Sequence, residues 1–250
     1  MKSQLVRTRE LLPPDIEAMY SLLCTHFEGV KQEVFDADLA KKNWVILLKD
    51  EATDTLKGFS TIVMHETENE CEVLSVVYSG DTIVDPSAWS SSVLSQAWIA
   101  AVNKLRCEYP RGRLYWLLIC SGYRTYRFLT TFWKEFYPRH NASTPPRIKA
   151  LMEFLSRSQF GNYYDSQAGI VRFPYPQVLR EGLRGIPSER QKNPHIRFFE
   201  TQNPGHLQGD ELVCLTEISE ENLTRAGRKM WFATPKGERE SEGVILSIAG

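Results

Sequence analysis

The chain has 250 residues, 42% hydrophobic and 24% charged, with a net charge of -1. That balance gives no field to draw in nucleic acid or an anionic membrane surface, and no apolar run approaches the ~20 residues that span a bilayer. Five isolated cysteines without Cys-x-x-Cys or other metal spacing predict no metal site and a reducing, cytoplasmic setting.

The first ten residues, MKSQLVRTRE, lack the apolar segment of a signal peptide, and residues 4–9 read as a first strand. Pro13-Pro14-Asp15 opens a helix whose inward face is Ile16, Met19, Tyr20, Leu23 and Phe27, ended by Gly29. A second helix is predicted over 34–42 with Phe35, Leu39 and Ala40 inward. Residues 44–48 form a buried strand, 50–57 a polar hairpin turn and 58–64 the next strand.

The stretch 72–105 organises the rest. Val73, Leu74, Val76, Val77, Ile83 and Val84 form an apolar, mostly β-branched run broken at Ser79-Gly80-Asp81. A glycine inside a strand pattern predicts a bulge. After a turn of small residues, Leu94, Trp98, Val102 and Leu105 recur at helical spacing. Strand, turn and helix N-terminus together present backbone N–H groups that suit a phosphate.

A turn follows at 110–112. Residues 113–120, RLYWLLIC, read as a strand buried on both faces. A helix is predicted over 123–136 with Phe128, Leu129, Phe132, Trp133 and Phe136 inward. Residues 140–194 form an insertion. It holds a helix from Pro145-Pro146 marked by Ile148, Leu151, Met152 and Leu155, an irregular aromatic stretch at 161–169 and a short helix at 175–184. Such an insertion either shapes the acceptor side or an acyl pocket or only adds core. The basic run 180–190 is mixed with Glu and Gly and reads as a solvated face. Two strands, 195–201 and 211–218, joined by a turn rich in Pro, Gly, Asn and Asp, form a closing hairpin. A short helix spans 220–230. Residues 1–232 make a single domain, and 233–250 read as a mobile tail.

Val84-Asp85-Pro86 is a V-x-P step after a bulged strand, with Val93-Leu94 in the first turn of the helix behind it. The preceding order is strand, helix, helix, strand, hairpin and strand, the last reading LKGFSTIV. In these features, over about 4–138, the chain resembles the GNAT superfamily of acyltransferases. It departs from the family where a glycine-rich loop is replaced by Ser87-Ala88-Trp89-Ser90-Ser91-Ser92. The resemblance implies an α/β (α+β) fold. Its central sheet is mixed and mostly antiparallel with splayed middle strands, helices cover both faces, and a helical insertion precedes the closing hairpin. It also implies transfer of an acyl group from acyl-CoA or an acyl carrier protein to a peptide or small-molecule amine, by direct attack in a ternary complex. Bacterial GNAT-like maturases that attach fatty acyl groups to peptide amines share the enlarged C-terminal half. On this resemblance the donor contacts Thr82, Ile83, Val84, Trp89, Ser90, Ser91, Ser92 and Val93.

Acyl transfer to an amine needs a base for the acceptor, polarisation of the carbonyl and a proton for the leaving thiolate. The resemblance points to Asp81 at the bulge as base, with His65 and Glu66 on the neighbouring strand, Tyr78, and a second set, His206 and Asp210. Asp81 can equally be a turn residue bonded to its own backbone, and His65 a solvent-facing strand end. For the acid, the family pattern falls on FWKEFY at 132–137. Its first position, Phe132, has no proton to give, which leaves Tyr126, ahead of Tyr123. Both can instead be aromatic core. Cys120-Ser121 lacks a G-x-S-x-G context, and a buried Cys is a small hydrophobe. The altered loop and Phe132 favour a second reading, a non-catalytic GNAT-like ligand- or protein-binding module. Transfer to a hydroxyl, or decarboxylation, is a third.

Overall fold

Residues Trp44 to Leu48 are apolar at every position, and a strand of that kind is stable only inside a sheet covered on both faces. The computed structural model describes residues 1–89, 91–109 and 111–232. Its elements in chain order are β1 (Lys2–Arg7), α1 (Pro13–His26), β2 (Phe27–Glu28), α2 (Gln32–Leu39), β3 (Trp44–Lys49), β4 (Leu56–Asn69), β5 (Glu72–Val84), α3 (Val93–Glu108), β6 (Arg113–Cys120), α4 (Tyr123–Phe132), α5 (Pro146–Phe160), β7 (Tyr164–Asp165), β8 (Ile170–Val171), β9 (Val178–Leu179), α6 (Pro194–Gln202), β10 (Glu211–Glu217) and α7 (Arg225–Trp231).

Among the described residues, eight strands share one sheet in the order β1-β3-β4-β5-β6-β10-β8-β7, while β2 and β9 pair separately. Neighbours in the large sheet run antiparallel except β5 and β6. A parallel pair needs a crossover, and α3 supplies it.

On one face, Trp98, Val102 and Leu105 of α3 and Tyr126 and Leu129 of α4 pack on Trp44, Ile46, Val77, Trp116 and Leu118. The other face carries two separate patches. Met19, Leu23, Phe35 and Leu39 of α1 and α2 cover Val45, Leu47, Phe59 and Ile83. Leu151, Leu155 and Phe160 of α5 cover Val76, Tyr78, Leu117 and Val213. Each fully buried Leu, Ile or Phe contributes about 1.5–3 kcal/mol, and residues 79–82 of β5 belong to neither patch, which marks a seam between them.

Several expected elements differ. Residues 195–201 form α6, not a strand. Asn193 caps it by accepting from the His195 N–H at 2.9 Å, Pro194 occupies the first turn, and Ile196 and Phe199, three apart, are both fully buried. The last strand therefore lies between β6 and β8, and its outer partner is Ile170–Val171. The helix predicted over 123–136 stops at Phe132, because Tyr137 exchanges backbone hydrogen bonds of 2.8 Å with Leu215 of β10 and draws the following segment toward the sheet. Trp133 and Phe136 stay buried. In place of a helix over 175–184, β9 extends from Pro174 and Pro176 and pairs with β2. The helix predicted from 220 begins at Arg225, where Thr224 accepts from the Gly227 N–H at 3.1 Å. Helix α2 ends at Leu39, and Ala40 is exposed. The predicted tail, 233–250, lies outside the described residues.

Candidate active site

On β4, Ser60 stands opposite Thr82 and Ile62 opposite Ser79, so Thr61 faces two residues, Gly80 and Asp81. This is the bulge predicted at Ser79-Gly80-Asp81. The parallel contact of β5 with β6 runs from Leu74–Arg113 to Tyr78–Leu117 and stops there. From Ser79 onward β5 pairs with β4 alone, and the two middle strands part. The floor of the parting is fixed by Ser79, whose hydroxyl accepts from the Trp98 and Trp116 indole N–H groups, each at 3.0 Å.

Three acidic groups interact around the gap. Burial and the charge of Asp38, opposed by Lys42, raise the Asp81 carboxyl to about 6. Burial and the charge of Asp81 raise the Glu211 carboxyl to about 8. Burial, then Glu211, Asp38 and Asp81, pushes the Tyr78 hydroxyl well up. Glu211 opens β10 next to Leu212, which is opposite Cys120 at the end of β6. At neutral pH, Asp81 is mainly ionised and Glu211 mainly protonated, so one cleft holds a base and an acid.

Lys42 comes in from the end of α2. Its side chain is 3% exposed, and Nζ lies 2.9 and 2.8 Å from the two Asp38 carboxylate oxygens and 5.0 Å from the centre of the Tyr78 ring. A Cβ on Gly80 would stand 2.7 Å from Lys42 Cε and Nζ and 2.6 Å from Thr61 Oγ1, so any side chain there would displace the end of Lys42 and the Thr61 hydroxyl. Thr61 is 1% exposed, and its hydroxyl has no hydrogen-bond partner.

The free edge of β5 carries the remaining candidates. The Asp85 N–H turns to Lys57 on β4 at 2.8 Å. By strand alternation, the backbone groups of Val84 and Thr82 turn to the open side, and those of Ile83 toward β4. Trp89 meets this edge, its indole N–H donating to the Val84 carbonyl at 2.8 Å. The Arg124 guanidinium lies 4.0 Å over the Trp89 ring and 4.9 Å from the Tyr123 ring. Trp89 thus bridges β5 to α4 across the parting. Asp85 caps the turn at Ser87, whose hydroxyl and N–H donate to it at 2.5 and 2.9 Å, and these contacts, the hydroxyl first, with His26 beside them, hold the Asp85 carboxyl low. Ser91 accepts from the Val93 N–H at 3.2 Å, and Ser92 makes no side-chain bond at the start of α3. Ser90 lies outside the described residues.

The other predicted groups do not meet at the bulge. Tyr126 is fully buried on the α4 face, its hydroxyl donates to the Pro138 carbonyl at 2.9 Å, and burial pushes it far above its usual range. This placement fits the aromatic-core alternative better than the expected role as acid. Tyr123 is buried under Arg124. His65, its pKa lowered by burial, lines a cavity of about 500 Å³ with Arg7, Trp44 and Tyr109, a cavity that Lys42 also borders. His206 Nδ1 lies 2.9 Å from the Asn203 carbonyl, and Asp210 pairs with Arg172 at 3.0 Å. Glu211, one residue on, escaped the sequence reading; its signal was a carboxylate directly before the apolar run Leu212–Leu215. Among the described residues no three His, Cys, Asp or Glu gather as a metal site, and no helix is long and apolar enough to cross a membrane.

No family model and no curated protein matches the chain. Solved structures do. ElaA of Escherichia coli is 20% identical with a TM-score of 0.38, covering 55% of this chain and 92% of that one. A GNAT-family acetyltransferase of Bacillus anthracis is 15% identical with a TM-score of 0.39, covering 55% and 84%. The GNAT-family N-acetyltransferase YhbS of Escherichia coli, in complex with CoA, is 15% identical with a TM-score of 0.37, covering 53% and 69%. The fold is GNAT-like on its own topology: a mostly antiparallel sheet, the bulge on β5 and the parting of β5 from β6 are features the resemblance implies, while the closing hairpin is replaced by α6 and the pairing of β10 with β8.

Proposed function

We propose that the chain is an acyltransferase that moves an acyl group from acyl-CoA, or from an acyl carrier protein, to an amine on a peptide or small molecule. The parting of β5 from β6 beside a bulge that carries Asp81, with Glu211 in electrostatic reach, supports this reading most directly. A pantetheine arm needs partners along a free strand edge, and Thr82 and Val84 offer them. Its phosphates need N–H groups, and the α3 N-terminus, with Ser91 and Ser92, offers those. In the reaction Asp81 takes a proton from the acceptor nitrogen, and that nitrogen attacks the thioester carbonyl. Backbone N–H groups on the edge stabilise the oxyanion, and Glu211 gives its proton to the leaving sulfur. Positioned acid–base groups of this kind contribute about 10²–10⁴-fold. A cytoplasmic location is part of the same proposal, because that is where such a donor would be met.

Isothermal titration with CoA, acetyl-CoA and medium- and long-chain acyl-CoA, followed by thiol release with a panel of amines, tests the proposal. Binding plus amine-dependent release is the expected result; absence of both at millimolar coenzyme would sink it. Selective tightening with chain length, at about 0.8 kcal/mol per buried methylene, would mark a fatty acyl donor. Trp89 favours a second reading, a non-catalytic binding module. Its indole already holds the Val84 carbonyl that a donor would use. Coenzyme binding without release for any amine would support that reading.

A further inference from the structure

We propose that Lys42 is itself an acyl acceptor, modified at Nζ by the chain's own site. The inference rests on the acyl-transfer reading above. An acceptor must bring an amine to the β5 bulge through the seam between the α1–α2 patch and α5. Lys42 already does so. Among the described residues it is the one buried lysine. Its Nζ lies 2.7 Å from where a Gly80 Cβ would stand and 5.0 Å from the centre of the Tyr78 ring. Asp38 touches the ammonium with both oxygens and can take its proton. The unpartnered Thr61 hydroxyl points at the same spot and can hydrogen-bond the carbonyl oxygen of an arriving thioester.

The step balances without a further reagent. One ammonium proton passes to Asp38 and on to solvent. The nitrogen lone pair forms a bond to the thioester carbonyl carbon, and the carbon–sulfur bond breaks. The second nitrogen proton leaves, the sulfur departs as a thiol and the third stays on the amide. The product has lost its positive charge, its pair with Asp38 and the influence that lowers Asp81. Its added bulk fills the acceptor seam, so self-acylation closes the site.

The test is to incubate the full chain with acetyl-CoA and no amine, then follow intact mass and map peptides. One acetyl increment on Lys42 is expected, matched by an equal amount of free CoA, and Lys42→Arg should lose it. Even labelling of exposed lysines that persists in Lys42→Arg would overturn the inference, because it would be solution chemistry. An unmodified Lys42 in protein that releases CoA to added amines would also overturn it, and would leave the acyl-transfer reading standing. No release under either condition would sink both. Peptide mapping of the unaltered chain answers the question even where Lys42→Arg folds poorly.

Discussion

Glu211 opens β10 within electrostatic reach of Asp81 on the β5 bulge, and burial together with the Asp81 charge lifts its carboxyl to about 8. The acyl-transfer reading makes activity depend on opposite protonation states of the two. Thiol release should therefore rise through pH 6, as Asp81 ionises, and fall through pH 8, as Glu211 loses its proton. Glu211→Gln should remove the alkaline limb, and Asp81→Asn should abolish the amine-dependent rate. An unchanged alkaline limb in Glu211→Gln would remove it from the acid role.

The same two groups set a pH dependence of folding. Each has a folded value above its ordinary carboxylate value, so the folded state holds the protons more tightly. The stabilisation is complete below the ordinary values, 3.8 and 4.5, and is lost as pH rises to about 6 for Asp81 and about 8 for Glu211. Urea unfolding at pH 5 and pH 9 should show the chain weaker at pH 9. Glu211→Gln should recover on the order of 2 kcal/mol of that difference, discounted for partial exposure.

Trp89 is held at the β5 edge by one hydrogen bond and one cation–π contact, worth together about 1–2.5 kcal/mol. Trp89→Ala frees the Val84 carbonyl and should tighten coenzyme binding severalfold in a titration. Weaker binding would show instead that the indole belongs to the donor site.

Gly112 has a φ of +57°, and a Cβ there would overlap the Val73 carbonyl oxygen at the mouth of the β5–β6 pair. Gly112→Ala should cost about 3 kcal/mol from strain and overpacking, read as a shift in the urea midpoint. A loss below about 0.5 kcal/mol would mean that the turn relaxes without disturbing β6.

The buried Tyr126 hydroxyl serves the Pro138 carbonyl. Tyr126→Phe should lower stability by about 1 kcal/mol and leave turnover intact. A large loss of turnover at unchanged stability would return Tyr126 to the chemistry.

The central strands and α3 were legible because their apolar periods are long and of one kind: Val73 to Val84 with its glycine interruption, then Leu94, Trp98, Val102 and Leu105. Helix α6 was misread because the run from Ile196 to Phe199 can alternate as a strand, and only the Asn193-Pro194 start separates the two. Asp81 was visible because it follows the bulge glycine. Glu211 and Lys42 were not, since a Glu at a strand start or a Lys at a helix end normally lies in water. Only the tertiary fold buries them, one beside the end of β6 and the other against a glycine. Tyr126 shows the reverse, a residue whose sequence context fits chemistry and whose hydroxyl the fold assigns to a backbone carbonyl.

The Trp98 and Trp116 rings stand 4.1 Å apart, and both indoles rest on Ser79. Chromophores so close couple their excited states, and theirs sit at the base of the opening between the middle strands. The protein therefore carries a built-in optical probe: occupancy of that opening should be visible in near-ultraviolet dichroism and tryptophan emission without attaching any label.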